Sequence, residues 1–104
     1  MRKFTFVLCA ATFAASAVGA AEHTVTMAGA SYAPATLVAA QGDTIRFVND
    51  DGIDHDVFVP TAGYALDLGK QEPGQEKTLT LGKVGEFKVE CVFHSGMELM
   101  VEVN

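Results

Sequence analysis

The sequence predicts an all-β fold, a sandwich of two sheets, on three observations. Apolar and polar residues alternate with period two through most of the chain. Turn residues separate the alternating runs, and no stretch shows a convincing helical period.

The amino end stands apart from this pattern. Met1-Arg2-Lys3 is a short basic start, followed by an apolar run from Phe4 to about Val18. Small residues Val18-Gly19-Ala20-Ala21 then precede the polar Glu22-His23-Thr24. That order predicts a secretory signal peptide over residues 1–21, cut after Ala20 or Ala21, and a single domain over 22–104. The run is short for a membrane span, and no second apolar segment follows it. Bulky Leu8 before Cys9, and the apolar run beyond it, argue against a lipid-anchored start.

The strands follow in order. Thr24–Met27 alternates until Gly29, Tyr32-Ala33-Pro34 is a bend, and Thr36–Ala39 is a short strand turned by Gln41-Gly42-Asp43. Thr44–Asn49 places Ile45 and Phe47 on one face, Asp50–Asp54 is a loop, and His55–Val59 is a strand ended by Pro60. Thr61–Gln75 holds three glycines and Pro73; it reads as irregular, with at most a helical turn near Tyr64–Leu68. Lys77–Leu81 and Glu86–Cys91 alternate cleanly across the turn Gly82–Gly85. Leu99, Val101 and Val103 then share one face of the last strand, and Glu98, Met100 and Glu102 the other. About seven short strands result.

Removing 21 of the 104 residues leaves 83, a small domain that gains from a staple. Arg2 and Lys3 leave with the signal, so five basic residues face thirteen acidic ones, a net charge of −8. Such a surface repels nucleic acid and anionic membrane and suits soluble protein partners. Cys91 becomes the one cysteine of an exported chain, without an internal partner for a disulfide.

Alternation sorts the carboxyl end. Cys91 shares the inward parity of Phe87 and Val89, whereas Met100 falls on the outer face. Met97 lies in the turn Phe93–Met97, so Cys91, His94 and Met97 form a C-x2-H-x2-M set around one tight loop. Taken singly, a strand-start histidine or a methionine beside a last strand is an ordinary turn or core residue. Two sulfurs and an imidazole together suit copper; magnesium and calcium want oxygen, and zinc rarely takes a thioether. Two histidines and a cysteine with a weak axial methionine form a blue-copper site. Of the remaining histidines, His55 at a strand start is a better second ligand than His23 near the amino end. If the chain is cut after Ala20, the new amine and His23 could alternatively hold a square-planar ion, but an ordinary polar terminus is favoured.

From about Tyr32 to Val103 the chain resembles the small blue-copper cupredoxins of the amicyanin and plastocyanin kind. "YAPATLVAAQGDTIRFVN" is similar to the family's opening strands, "DHDVFV" to its first-histidine strand and "GEFKVECVFHSGM" to its carboxyl ligand loop. The resemblance implies an eight-stranded Greek-key sandwich, one copper ion cycling between Cu(I) and Cu(II), and His55, Cys91, His94 and Met97 as ligands. It further implies single-electron transfer. The signal peptide predicts a periplasmic location, and a monomer is expected. The 83 residues leave no room for the second metal cluster or substrate-binding insertion of an oxidase or reductase, so an enzyme is not expected. Redox partner proteins would dock transiently near a partly exposed His94, with Phe93, Ser95, Gly96 and Pro60 around it. A copper-binding or delivery protein for resistance or enzyme maturation is the alternative from the same donors.

Three positions depart from the family pattern. Asp56 and Val92 stand where the family commonly pairs an asparagine with a serine or threonine to lock two loops, and that side-chain bond is not expected here. Phe93 stands where proline often precedes the second histidine. Asp56 either lies near the thiolate, where an ionised carboxylate favours Cu(II), or points to solvent.

Overall fold

The computed structural model describes residues 19–104. The expected signal peptide falls for the most part outside the described residues. Nine strands form: β1 (Glu22–Ala28), β2 (Ser31–Ala33), β3 (Thr36–Ala39), β4 (Thr44–Asn49), β5 (His55–Val59), β6 (Leu66–Gln71), β7 (Glu76–Thr80), β8 (Gly85–Cys91) and β9 (His94–Val103). There is no helix among the described residues.

The strands make two mixed sheets, ordered β2-β1-β4-β7 and β3-β9-β8-β5-β6. β1 pairs with β4, and β3 with β9, in parallel; the other pairs are antiparallel. The chain passes between sheets at β2–β3, β3–β4, β4–β5, β6–β7 and β7–β8. Period-two burial follows directly: Ile45 and Phe47 of β4 are fully buried, as are Val57 and Val59 of β5 and Val89 of β8. On β9, Leu99, Val101 and Val103 are buried while Met100 remains 40% exposed. Both parity assignments at the carboxyl end therefore hold.

Two elements differ from the sequence reading. β2 is a three-residue strand overlapping the expected bend, paired to β1 through the two-residue turn Gly29-Ala30. Both turn residues have positive φ (60° and 55°), the geometry of a tight hairpin, although Ala30 carries a side chain that disfavours it. β6 runs through the middle of the expected irregular stretch Thr61–Gln75, whose two ends remain turns and irregular chain. Tyr64 closes a turn onto the Thr61 carbonyl, and the chain is extended from Leu66. β6 is an edge strand, and Gly69 at φ 83° interrupts its alternation, so a period-two signal is not visible in the residues.

Candidate metal centre

The site forms where three strand ends meet. β8 and β9 run antiparallel through Phe87↔Val101, Val89↔Leu99 and Glu90↔Glu98, then the register jumps to Cys91↔His94. The turn between the strands is therefore only Val92-Phe93, shorter than the expected loop Phe93–Met97. Ser95, Gly96 and Met97 form a bulge on β9, allowed by Gly96 at φ 86°. The bulge sets His94 opposite Cys91 and leaves Met97 in step with Leu99 and Val101, 2% exposed.

His55 arrives from the other side as the first residue of β5, fully buried. The donor atoms of His55, Cys91 and His94 all lie within 4.8 Å of one another. Cys91 Sγ is 3.8 Å from His55 Nδ1, and the two imidazole rings are 4.7 Å apart at 59°. With metal–sulfur and metal–nitrogen bonds of about 2.3 and 2.0 Å, a 120° angle at an ion separates the two donors by about 3.7 Å. His94 Nε2 is shielded from solvent and has no hydrogen-bond partner. A free thiol, two imidazoles at bonding separation and an orphaned ring nitrogen fit a metal ion. Met97 joins the same buried cluster as Cys91. His23 is not part of this group.

The surroundings are polar and connected, and partly buried. His55 Nε2, the nitrogen remote from Cys91, is 2.9 Å from Asp51 Oδ2. The same oxygen accepts the Ala30 N–H at 3.0 Å, and Oδ1 accepts that of Gly52 at 2.9 Å. These donors, Ala30 foremost and then His55, hold the Asp51 carboxyl down at about 2. Asn49 organises the loop: its Oδ1 accepts the Asp51 N–H, and its Nδ2 donates to the carbonyls of Ile53 and Gln71. Neither Asp51 nor Asn49 stood out in the sequence; the signal available was an acidic residue four positions before a histidine.

Asp56 is 2% exposed, which overturns the solvent-facing reading. Its Oδ1 accepts the backbone N–H of Val92 at 2.9 Å, so the two ligand loops are locked after all. A backbone donor needs no particular side chain at position 92, which is why valine is tolerated there. Burial is the main cause raising the Asp56 carboxyl above its usual range, opposed by the Val92 N–H and reinforced by nearby Asp67. Tyr32 lies behind the site with its hydroxyl 2.7 Å from the Asp56 carbonyl and 3.0 Å from that of Glu90. Burial pushes its phenol well up, so it remains a donor.

At the surface, Val92 is 60% and Phe93 50% exposed, and Ile53, in the loop before β5, 47%. His94 itself is half-buried. Pro60 does not border it: it follows the far end of β5, about 16 Å of strand from His55.

His23 Nε2 lies 2.8 Å from Asp43 Oδ2, and the Ala21 nitrogen donates to Asp43 Oδ1 at 2.9 Å. Both groups of the alternative amino-terminal ion site are thus already engaged by a carboxylate.

No protein-family model matches the chain. No curated protein matches it either. Solved structures do. A copper(I) form of an amicyanin mutant superposes with TM-score 0.74 at 26% identity, covering 85% of each chain. A purple cupredoxin from Nitrosopumilus maritimus gives 0.71 at 20% identity, over 79% of this chain and 99% of that one. A copper-containing nitrite reductase (NirK) from Thermus scotoductus gives 0.73 at 28% identity, over 80% of this chain but 22% of its own length. The fold is that of the cupredoxins, and it carries a His–Cys–His group positioned to bind one metal ion.

Proposed function

We propose that the chain is a mononuclear blue-copper protein carrying single electrons, with His55, Cys91, His94 and Met97 as its ligands. The convergence of His55, Cys91 and His94 within 4.8 Å at the end of a cupredoxin sandwich carries this reading. Bound copper supplies a one-electron Cu(I)/Cu(II) couple. The residues supply a fixed geometry: His55 and Cys91 are held by strands, His94 by a two-residue turn, and Met97 by the β9 bulge. A trigonal nitrogen–nitrogen–sulfur set with a weak thioether serves both oxidation states with little movement. Cys91 and His55 are buried, whereas His94 is half-buried and follows directly on the exposed apolar pair Val92 and Phe93. A small patch of this kind suits brief docking of redox partners, and electrons pass through His94.

Export to the periplasm as a monomer completes the proposal. The Asp43 contact to the Ala21 nitrogen supports cleavage after Ala20, because the new ammonium would keep and strengthen that bond. The intact mass of the exported protein checks the cleavage point.

Titration of purified protein with Cu(II) should produce an intense visible thiolate-to-copper band, absent in Cys91→Ser. A colourless complex would sink the carrier reading. A coloured site with slow electron exchange would instead favour copper storage or delivery.

A further inference from the structure

We propose that Asp51 is a positioning residue for the copper centre, fixing His55 in the Nε2–H tautomer so that Nδ1 is free to ligate, and biasing the couple toward Cu(II). The inference rests on the copper reading above. A neutral imidazole carries one proton, and the hydrogen bond at one nitrogen decides which nitrogen is left to bind metal. In this chain the remote nitrogen of His55 lies 2.9 Å from Asp51 Oδ2, an oxygen that also accepts the Ala30 N–H, while Nδ1 faces Cys91 Sγ at 3.8 Å. The ring is fully buried, so water is not a competing partner.

The carboxylate is itself held from several sides. Ala30 and Gly52 donate to its two oxygens, and Asn49 fixes its backbone. Asn49 is in turn tied to the Gln71 carbonyl, and Gln71 Nε2 to the carbonyls of Phe47 and Gln75. The orientation of a ligand is thus referred back through a buried side-chain chain to strands of both sheets, β4 and β6. A carboxylate accepting from a ligating imidazole makes the ring a stronger donor, and partners of this kind typically contribute 10–100-fold in metal affinity. A stronger, anionically backed donor favours the higher charge on the ion, and hence a lower potential.

The test compares wild type, Asp51→Ala and Asp51→Asn. Long-range proton–nitrogen spectra of the metal-free wild type should show His55 protonated at Nε2 alone. Asp51→Ala should lose that preference and bind copper about 10–100-fold more weakly. Asp51→Asn, which keeps an acceptor but not the charge, should retain the tautomer and raise the copper potential. It also keeps the test readable if Asp51→Ala fails to fold through loss of the Ala30 and Gly52 bonds. An Nδ1–H tautomer in wild type overturns the assignment, as does an Asp51→Ala protein that matches wild type in tautomer and affinity. Failure of the copper reading shows separately, as a wild type that takes up no copper.

Discussion

Replacing Tyr32 by phenylalanine removes one oxygen atom from behind the metal centre and tests whether that atom holds the site together. β5 and β8 share a single paired position, Phe58↔Glu90, so on the ligand side of it the sheet ladder gives out. There the Tyr32 hydroxyl lies 2.7 Å from the Asp56 carbonyl and 3.0 Å from the Glu90 carbonyl, sharing its one proton between the two strands. The ring is 3% exposed and packs edge-on against Phe47 at 6.2 Å, contacts that phenylalanine preserves. The loss is therefore confined to the hydroxyl. Leaving a buried acceptor without its donor costs about 1–3 kcal/mol. The Asp56 carbonyl is the buried one of the pair, whereas that of Glu90 is only partly covered, which places the sum near ~2 kcal/mol. For a domain of this size each kcal/mol lowers Tm by about 4–8 °C, so a fall of roughly 8–16 °C is expected. Urea unfolding of the metal-free protein should show the lower midpoint with an unchanged slope, since the same surface is exposed. A Tyr32→Phe protein within about 0.5 kcal/mol of wild type would refute the view that this hydroxyl bridges the strands.

Asp43 gives a pH prediction. Its carboxyl is held at about 2, against an unfolded value of 3.8, by His23 first and by the Ala21 and Ala40 N–H groups. Because the folded value is depressed, the unfolded chain binds the extra proton first, and the stabilisation is complete above about pH 4 and lost as pH falls toward 2. Acid unfolding curves should show this loss in wild type and a flatter profile over the same window in Asp43→Asn. Asp56→Asn should keep the Val92 N–H acceptor while removing a charge that burial disfavours. The expected outcome is a higher unfolding midpoint for the metal-free protein and, with copper, a higher potential; a lower unfolding midpoint would count against the burial argument.

Much of the fold was legible because alternation with period two survives wherever one face of a strand meets the core. β3, β4 and β5 match their sequence-derived bounds, and the inward Cys91 and outward Met100 follow from parity alone. β6 was hidden because an edge strand with a glycine at φ 83° carries no regular alternation. Cys91, His94 and Met97 were visible as residue types at close spacing, His55 only as the better of the remaining histidines, and His55, Cys91 and His94 do meet. The supporting groups were not visible. A lock made through the Val92 backbone N–H leaves no signature in the side chain at that position. Asp51 looks like any loop aspartate until His55 is known to point one nitrogen at it. Hydrogen bonds to backbone, and carboxylates whose partner depends on the fold, are set by three-dimensional placement rather than by local pattern.

The two-residue turn between Cys91 and His94 also has an evolutionary consequence. Val92 and Phe93 sit between two donors, yet both side chains face outward, and position 92 is locked only through its peptide nitrogen. On the proposed function, the residues that would meet a partner lie between the two that would hold the ion, on one short hairpin, without sharing a constraint. Such a surface can drift or be redesigned for a new partner while the centre beneath it stays as it is.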